Sequence, residues 1–256
     1  MQKINLFEMT RPEVERAIAA GVDTIIVPLG STEQHGLHLP LGTDAILGAA
    51  LGDRVARALG NALLAPVLPI GCSEHHMDFA GSLTLKKETF IEVLTDVCRS
   101  LAHHGFGHIA LIPTHGGNFA PLAKAAGAIR PELSGVNLIA YTDLMGFMEE
   151  IFRVGKSREV TPEQAGAHSG EFETSLMLTV RPDLVAMDMA QPGYVGDPLS
   201  IAPLVFEKGF RAATENGVLG DPCDASAANG EAYMDALTQL LVRFIKNQKQ
   251  TPVAAD

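Results

Sequence analysis

Apolar segments alternate with stretches of helical periodicity along the first 140 residues of the chain. The apolar runs lie at 24–29, 63–69, 109–113 and 136–141. They lack polar alternation, which is typical of strands in a parallel sheet covered on both faces. The stretches with helical periodicity lie at 11–20, 44–59, 86–103 and 119–130. This order predicts βαβ units, and with them a three-layer α/β/α sandwich with a mainly parallel central sheet.

The second half of the chain has a looser pattern. It predicts an exposed loop at 153–167, a helix at 170–180, a long irregular segment at 190–228 and a final amphipathic helix at 231–246. An irregular segment of that length in a compact domain favours a lid or a subunit contact. We see no internal repeat and no domain boundary, so we expect one domain over 1–256 with a disordered tail at about 248–256.

Charged and histidine-rich segments follow the predicted strands, where ligands of α/β folds bind. The first is GSTEQHGLHLPLGTDA (30–45), which contains Glu33, His35 and Asp44. Carboxylate and imidazole suit Zn²⁺ or Mn²⁺. Glu33 and His35 share one side of an extended chain, and Asp44 has two oxygens with which to bridge two metals. A plainer interpretation is that the acids lie at the surface and that His35 caps a turn.

Two further clusters favour a functional site. THGGN (114–118) places His115 at the end of the third predicted strand, where Gly117 allows close backbone approach. HSGEFETS (168–175) places His168, Glu171 and Glu173 around a helix start. Acids are also common at helix N-termini for the macrodipole alone, an alternative that applies best to Glu173. Because three clusters each follow or open a predicted element, we interpret them as a site for two metal ions and expect a hydrolase.

A fourth segment, GCSEHHMDFAGSLTL (71–85), adds Ser73 and His76. These two are candidates for contact with a substrate or for support of the metal ligands, whereas a polar loop is the alternative. The chain contains no GxSxG, P-loop or GxGxxG pattern. Serine hydrolases of that type, nucleoside triphosphatases and dinucleotide-binding enzymes are therefore excluded.

Composition narrows the class of protein. The chain has 256 residues, of which 46% are apolar and 19% charged, with a net charge of −11. The negative charge disfavours nucleic acids and anionic membranes as partners. The three cysteines show no CxxC spacing, and no apolar run reaches the roughly 18 residues of a membrane span. We therefore expect free thiols and a cytoplasmic protein.

These motifs resemble the signature blocks of the creatininase (creatinine amidohydrolase) family. The similar blocks are 30–45, the loop ending in FAGSLTL, THGGN, HSGEFETSLML and GVLGDPCDASAANGEAY (217–233). They cover nearly the whole chain in the right order. The resemblance implies an α/β/α sandwich, a binuclear metal centre of Zn²⁺ and/or Mn²⁺ with Fe²⁺ as a further option, and a homo-hexamer built as a trimer of dimers.

The resemblance also implies a ligand set. One metal is expected on Glu33, Asp44 and His115, and the other on His35, Asp44 and Glu171, with Asp44 and a hydroxide as bridges. Two departures stand out: Gly117 lies where creatininase has a glutamate ligand, and the chain has no tryptophan to hold a flat substrate.

His168 matches the position of a proton shuttle, and Glu173 that of a supporting acid. The implied reaction is hydrolysis of a C–N amide bond, in a cyclic amide or a formamide, by the metal-bridging hydroxide. The alternatives are creatinine hydrolysis itself, hydrolytic C–C cleavage of a cyclic diketone, and a metal-binding protein without catalysis.

Overall fold

The computed structural model describes residues 3–250 and contains a parallel four-stranded sheet of order β2-β1-β3-β4. The strands are β1 (Thr24–Leu29), β2 (Ala62–Leu64), β3 (His108–Pro113) and β4 (Asn137–Ala140). Thr24 of β1 is in register with Ala62 of β2 and with His108 of β3. Because the strands are parallel and in register, the carboxyl ends of β1 and β3 lie side by side at one edge of the sheet.

The helices lie on the two faces of this sheet. They are α1 (Arg11–Ala19), α2 (Thr43–Leu59), α3 (Lys87–His103), α4 (Phe119–Ile129), α5 (Leu144–Ser157), α6 (Pro162–Ala165), α7 (Glu171–Val180), α8 (Pro198–Lys208) and α9 (Ala227–Gln250). None of the helices in 3–250 is long and apolar enough to span a bilayer.

Alternate residues of the central strands enter two separate hydrophobic cores. Ile26 and Ile112 pack with α2, α5, α7 and α9, whereas Ile25 and Ile109 pack with α1, α3 and α4. Successive side chains of a strand point to opposite faces, so a strand of unbroken apolar residues needs a helical layer on each side. The predicted three-layer α/β/α sandwich with a parallel central sheet is therefore confirmed.

The predicted strands and the first four helices are confirmed with small shifts of their ends. β2 is shorter than expected and ends at Leu64. In the rest of the expected strand, 65–69, a single isolated β-bridge joins Leu68 to Leu29 of β1. The loop predicted at 153–167 is wrong, since α5 continues to Ser157 and α6 follows it.

The long irregular segment predicted at 190–228 contains α8, and α9 is longer than predicted at both ends. Of the tail that was expected to be disordered, residues 248–250 belong to α9, and residues 251–256 lie outside the described part of the chain.

Helix α7 is fastened to α9 through one buried carboxylate. Glu171, which is 1% exposed, accepts hydrogen bonds from the Tyr233 hydroxyl at 2.7 Å, the Asn229 amide at 2.8 Å and the Ser175 hydroxyl at 2.7 Å. Three donors offset the cost of burying this charge. The contact determines how α7 is rotated against α9.

We predict that Tyr233→Phe lowers the free energy of unfolding by about 2 kcal/mol, because the variant removes a hydrogen bond to a buried charged group. Urea unfolding followed by circular dichroism measures this change. Tyr194→Phe is the matched control, since Tyr194 is half-buried and its hydroxyl makes no hydrogen bond within the described residues. The control should change stability by less than ~0.5 kcal/mol; equal effects of the two variants would contradict the role assigned to Tyr233.

Candidate metal centre

The loop after β1 and the start of α2 bring Glu33, His35 and Asp44 together. All three side chains are at most 2% exposed, and one ligand atom of each lies within 4.8 Å of the others. Asp44 occupies the first turn of α2, where the positive end of the helix dipole favours a carboxylate. The predicted proximity of these three residues is therefore present in the fold.

His115 follows the end of strand β3 and lies at the same point. Its Nδ1 atom lies 3.1 Å from Glu33 Oε1 and 3.3 Å from Asp44 Oδ2. The other oxygen of Asp44, Oδ1, lies 3.4 Å from His35 Nε2. Each oxygen of Asp44 thus faces a different imidazole, which is the arrangement that a carboxylate bridging two ions requires.

Backbone carbonyls determine which nitrogen of each imidazole faces the cluster. His35 Nδ1 lies 3.0 Å from the carbonyl of Glu33, and His115 Nε2 lies 3.2 Å from the carbonyl of Cys72. We assign the N–H group of each ring to these contacts, because a carbonyl only accepts. The opposite nitrogen then presents a lone pair to the carboxylates, as in protein metal sites.

Glu173, not Glu171, is the glutamate of α7 at the cluster. Glu173 Oε2 lies 3.9 Å from both His35 Nε2 and His168 Nδ1. Burial raises the pKa of the Glu173 carboxyl to about 7. The structure does not bring the Glu171 carboxylate, which was expected as a metal ligand, into this cluster; it accepts hydrogen bonds from Asn229 and Tyr233 of α9 instead.

The cluster contains buried polar atoms without hydrogen-bond partners. They are both oxygens of Glu33, Nε2 of His35 and Oδ2 of Asp44. Buried polar atoms in proteins normally have partners, and so a group of unpartnered buried atoms at one point fits the binding of a cation. Carboxylate oxygens and imidazole nitrogens form a donor set that fits divalent Zn²⁺ or Mn²⁺.

The electrostatics of the cluster also favour positive charge. Burial alone would lower the pKa of His35, but the carboxylates of Asp44, Glu173 and Glu33 outweigh burial and raise it to about 9. The same balance raises the pKa of His115 well above its usual value, mainly through Glu33 and Asp44. The negative potential of the carboxylates thus stabilises protons on these rings. A metal cation would neutralise the same potential.

His168 lies beside the cluster with a neutral ring. Burial, and next the neighbouring His35, hold its pKa well below the usual value. Its Nε2 lies 2.7 Å from the backbone carbonyl of Gln34, to which we assign the N–H group. Nδ1 is then an acceptor, 3.9 Å from oxygens of Glu33 and Glu173. The ring has one free nitrogen that faces the cluster and can exchange a proton there.

The predicted supporting residues lie around the ligands. His76 Nε2 is 3.1 Å from Glu33 Oε1, and Ser73 Oγ is 3.3 Å from His115 Nε2. A Cβ atom on Gly117 would lie 2.3 Å from the Cys72 carbonyl oxygen and 2.4 Å from His115 Nε2. No side chain fits at Gly117 without displacing His115, so this chain has no room there for another ligand.

Two structural residues of the site were not singled out from the sequence. Gln34 lies between Glu33 and His35, and its amide nitrogen is within 3.2 Å of His76 and His168 and donates to the Gly217 carbonyl. Asn118 accepts from the Cys72 amide and donates to the carbonyls of Leu29 and Gly30. The motif THGGN contains Asn118, so its position in the motif was an available signal.

A cavity of about 390 Å³ opens onto the cluster. Its floor contains Glu33, His76, His115, His168 and Glu173, and its walls come from α5, α7 and α8. A neighbouring cavity of about 690 Å³ meets it at Gly116, Gly117 and Phe206. The cluster of acids and histidines is therefore accessible to a ligand from a cleft.

Comparison with known proteins finds similarity over most of the chain. A model of the creatinine amidohydrolase family matches residues 7–245. A mycofactocin precursor peptide peptidase of Mycolicibacterium smegmatis is 32% identical over 221 residues, which are 84% of this chain and 81% of the relative. A creatinine amidohydrolase of Pseudomonas putida is 27% identical over 253 residues, with 94% and 95% covered.

Solved structures extend the likeness to three dimensions. A creatininase variant of Zn–Zn type has a TM-score of 0.81 and 26% identity, with 98% of this chain and 100% of that chain covered. A manganese form has a TM-score of 0.80 and 27% identity, with 97% and 100% covered. A match that spans almost the entire chain in sequence and in fold shows that this protein belongs to the creatininase family.

Proposed function

We propose that the protein hydrolyses a C–N amide bond of a small molecule with the help of two divalent metal ions. The observation that carries the proposal is the convergence of Glu33, Asp44 and Glu173 with the free nitrogens of His35 and His115 in one buried cluster. Buried carboxylates of this kind are stabilised by positive charge, which divalent cations would supply. It lies at the floor of a cleft that a substrate can enter.

The distances support a division of the ligands between two ions. Glu33 and His115 would hold one ion, His35 and Glu173 would hold the other, and Asp44 would bridge them. Three carboxylates supply three negative charges against the four positive charges of two divalent ions. The remaining charge favours an anionic water-derived ligand.

The donor set supports Zn²⁺ or Mn²⁺ and accommodates Fe²⁺. Creatininase structures described as Zn–Zn type and as a manganese form exist for relatives of the same fold. Within this chain the choice depends on which ion the surroundings supply, because oxygen and imidazole ligands accept each of these metals.

Divalent ions at this position supply Lewis-acid chemistry, which activates water and polarises a carbonyl. His168 then moves the proton that amide cleavage must deliver to the leaving nitrogen. Its Nδ1 faces the cluster, and the Gln34 carbonyl holds the other nitrogen. His76 orients the carboxylate of Glu33 from the opposite side. Phe210 packs on the rings of His76 and His168 and limits the access of bulk water.

The two named relatives support an amide as the bond that is cleaved. One is named a peptidase and the other a creatinine amidohydrolase, and both names describe hydrolysis of C–N bonds. The chain lacks tryptophan and contains Gly117 at the edge of the cluster, which argues for a substrate other than creatinine. The homo-hexamer and the cytoplasmic location stay predictions.

The direct test of activity is turnover by protein loaded with Mn²⁺ or Zn²⁺ on creatinine, N-formyl amino acids and short peptides. We expect amine release from at least one amide class and none from metal-free protein. A metal-loaded protein that releases amine from none of these amides would contradict the proposal.

We predict that His168→Ala lowers turnover on the preferred amide by about 10²–10⁴ and keeps both metals, since a general acid is lost and no ligand is removed. Steady-state kinetics and metal analysis measure the two effects. His104→Ala, a change of the same type at the exposed end of α3, is the control and should keep full turnover. Unchanged turnover in His168→Ala would reject the proton-transfer role and favour cleavage of a C–C bond, which has no leaving nitrogen.

We predict that Glu173→Gln loses one metal ion per chain, whereas Glu171→Gln retains two. The reason is that only the Glu173 carboxylate faces the imidazoles of the cluster. Inductively coupled plasma mass spectrometry of dialysed protein counts the ions. Both variants replace a glutamate of α7 by glutamine. A general effect of such a change would therefore appear in both variants and would not explain a difference between them. The reverse pattern would restore Glu171 as the ligand.

A further inference from the structure

The walls of the cavity above the metal centre are apolar. Apart from the glutamates and histidines at its floor, the side chains that line it carry no charge within the described residues. Met145 of α5, Phe172 of α7 and Leu199, Ala202 and Phe206 of α8 form most of this wall. The neighbouring cavity differs, because its lining includes Lys86, Lys87 and Glu88. Beyond its floor, this cavity therefore offers no charged side chain as a partner for a charged group of a ligand.

Several wall residues are exposed in the protein. Met145 is 48%, Leu199 is 43% and Phe206 is 55% exposed. Large apolar side chains that face an open cleft are in unfavourable contact with water. A bound apolar group would remove this contact. All three line the same cavity, so their exposure is concentrated at the approach to the metals.

Helix α8 forms this wall without joining the two cores of the sandwich. It packs on the short helical turns Glu74–His76 and Phe210–Ala212 next to the site, and the Phe206 ring lies 4.7 Å from the His75 ring. The apolar lining thus continues from α8 to the edge of the metal cluster.

We propose that the substrate carries a bulky apolar group next to the scissile amide and that this group lies between α5 and α8. The inference rests on the proposed hydrolase function and names the class of its substrate. A volume of about 390 Å³ lies within the range of pockets for small organic ligands, so it accommodates a branched aliphatic or an aromatic group in addition to the amide.

Alkyl hydroxamates test the proposal without catalysis, because the hydroxamate group chelates metal ions and its chain occupies the neighbouring space. Isothermal titration calorimetry of Mn²⁺-loaded protein should compare acetohydroxamate, butanohydroxamate and hexanohydroxamate. We expect about fourfold tighter binding for each added methylene. Equal or weaker binding of the longer chains would overturn the inference, as would a complete lack of binding by the three probes.

Two variants of α8 test where the alkyl chain of the hydroxamate binds. Ala202→Phe fills the wall of the cavity and should abolish the gain from chain length while acetohydroxamate still binds. Ser200→Phe adds the same ring on the same helix at an exposed residue outside the cavity lining, and it should keep the gain. Retention of the full gain by Ala202→Phe would show that the chain lies elsewhere and would overturn the inference.

The binding series also separates this inference from the proposed function. A chain-length gain in a protein that hydrolyses no amide would support the apolar subsite and reject the hydrolase. Turnover of formyl-glycine equal to that of formyl-leucine and formyl-phenylalanine, together with flat hydroxamate affinities, would keep the hydrolase and reject the apolar subsite.

Discussion

The central constraint on this structure is the burial of three carboxylates, Glu33, Asp44 and Glu173, at one point. Like charges at such a distance repel strongly where water is excluded, and the repulsion has to be offset by cations. The fold supplies partial compensation, since Asp44 and Glu173 both occupy the first turn of a helix, whose N-terminus carries positive potential. Divalent metal ions would complete the compensation, so the same negative cluster supports both the proposed metals and the chemistry proposed for them.

The remaining architecture keeps this cluster in place. The parallel register of β1 and β3 brings the loop that contains Glu33 beside His115. Asn118 joins the loops after these two strands through hydrogen bonds to their backbones. On the other side, the buried Glu171 carboxylate joins α7 to α9, and Glu173 of the same helix faces the imidazole of His35. Glu171 is thus a positioning residue for Glu173, the acid of α7 that lies in the cluster.

The sequence predicts those strands and loops whose position follows from the local pattern of apolar and polar residues. The unbroken apolar runs of β1 and β3 and the motifs after them placed Glu33, Asp44 and His115 at one edge of the sheet. The sequence pattern does not discriminate between Glu171 and Glu173 as the acid at the cluster. Residues two apart on a helix point in nearly opposite directions, and only the distant Tyr233 and Asn229 determine which one faces inward. The sequence pattern also did not predict helix α8. This helix is positioned by its contacts with the short turns beside the site, and its sequence lacks a clear helical periodicity.

The most direct test of the account is the location of the metals in crystals of protein loaded with Mn²⁺. An anomalous difference map at the manganese edge should show two peaks per chain, one between Glu33 and His115 and one between His35 and Glu173, with Asp44 between the peaks. A single peak, or a peak coordinated by Glu171, would contradict the proposed centre.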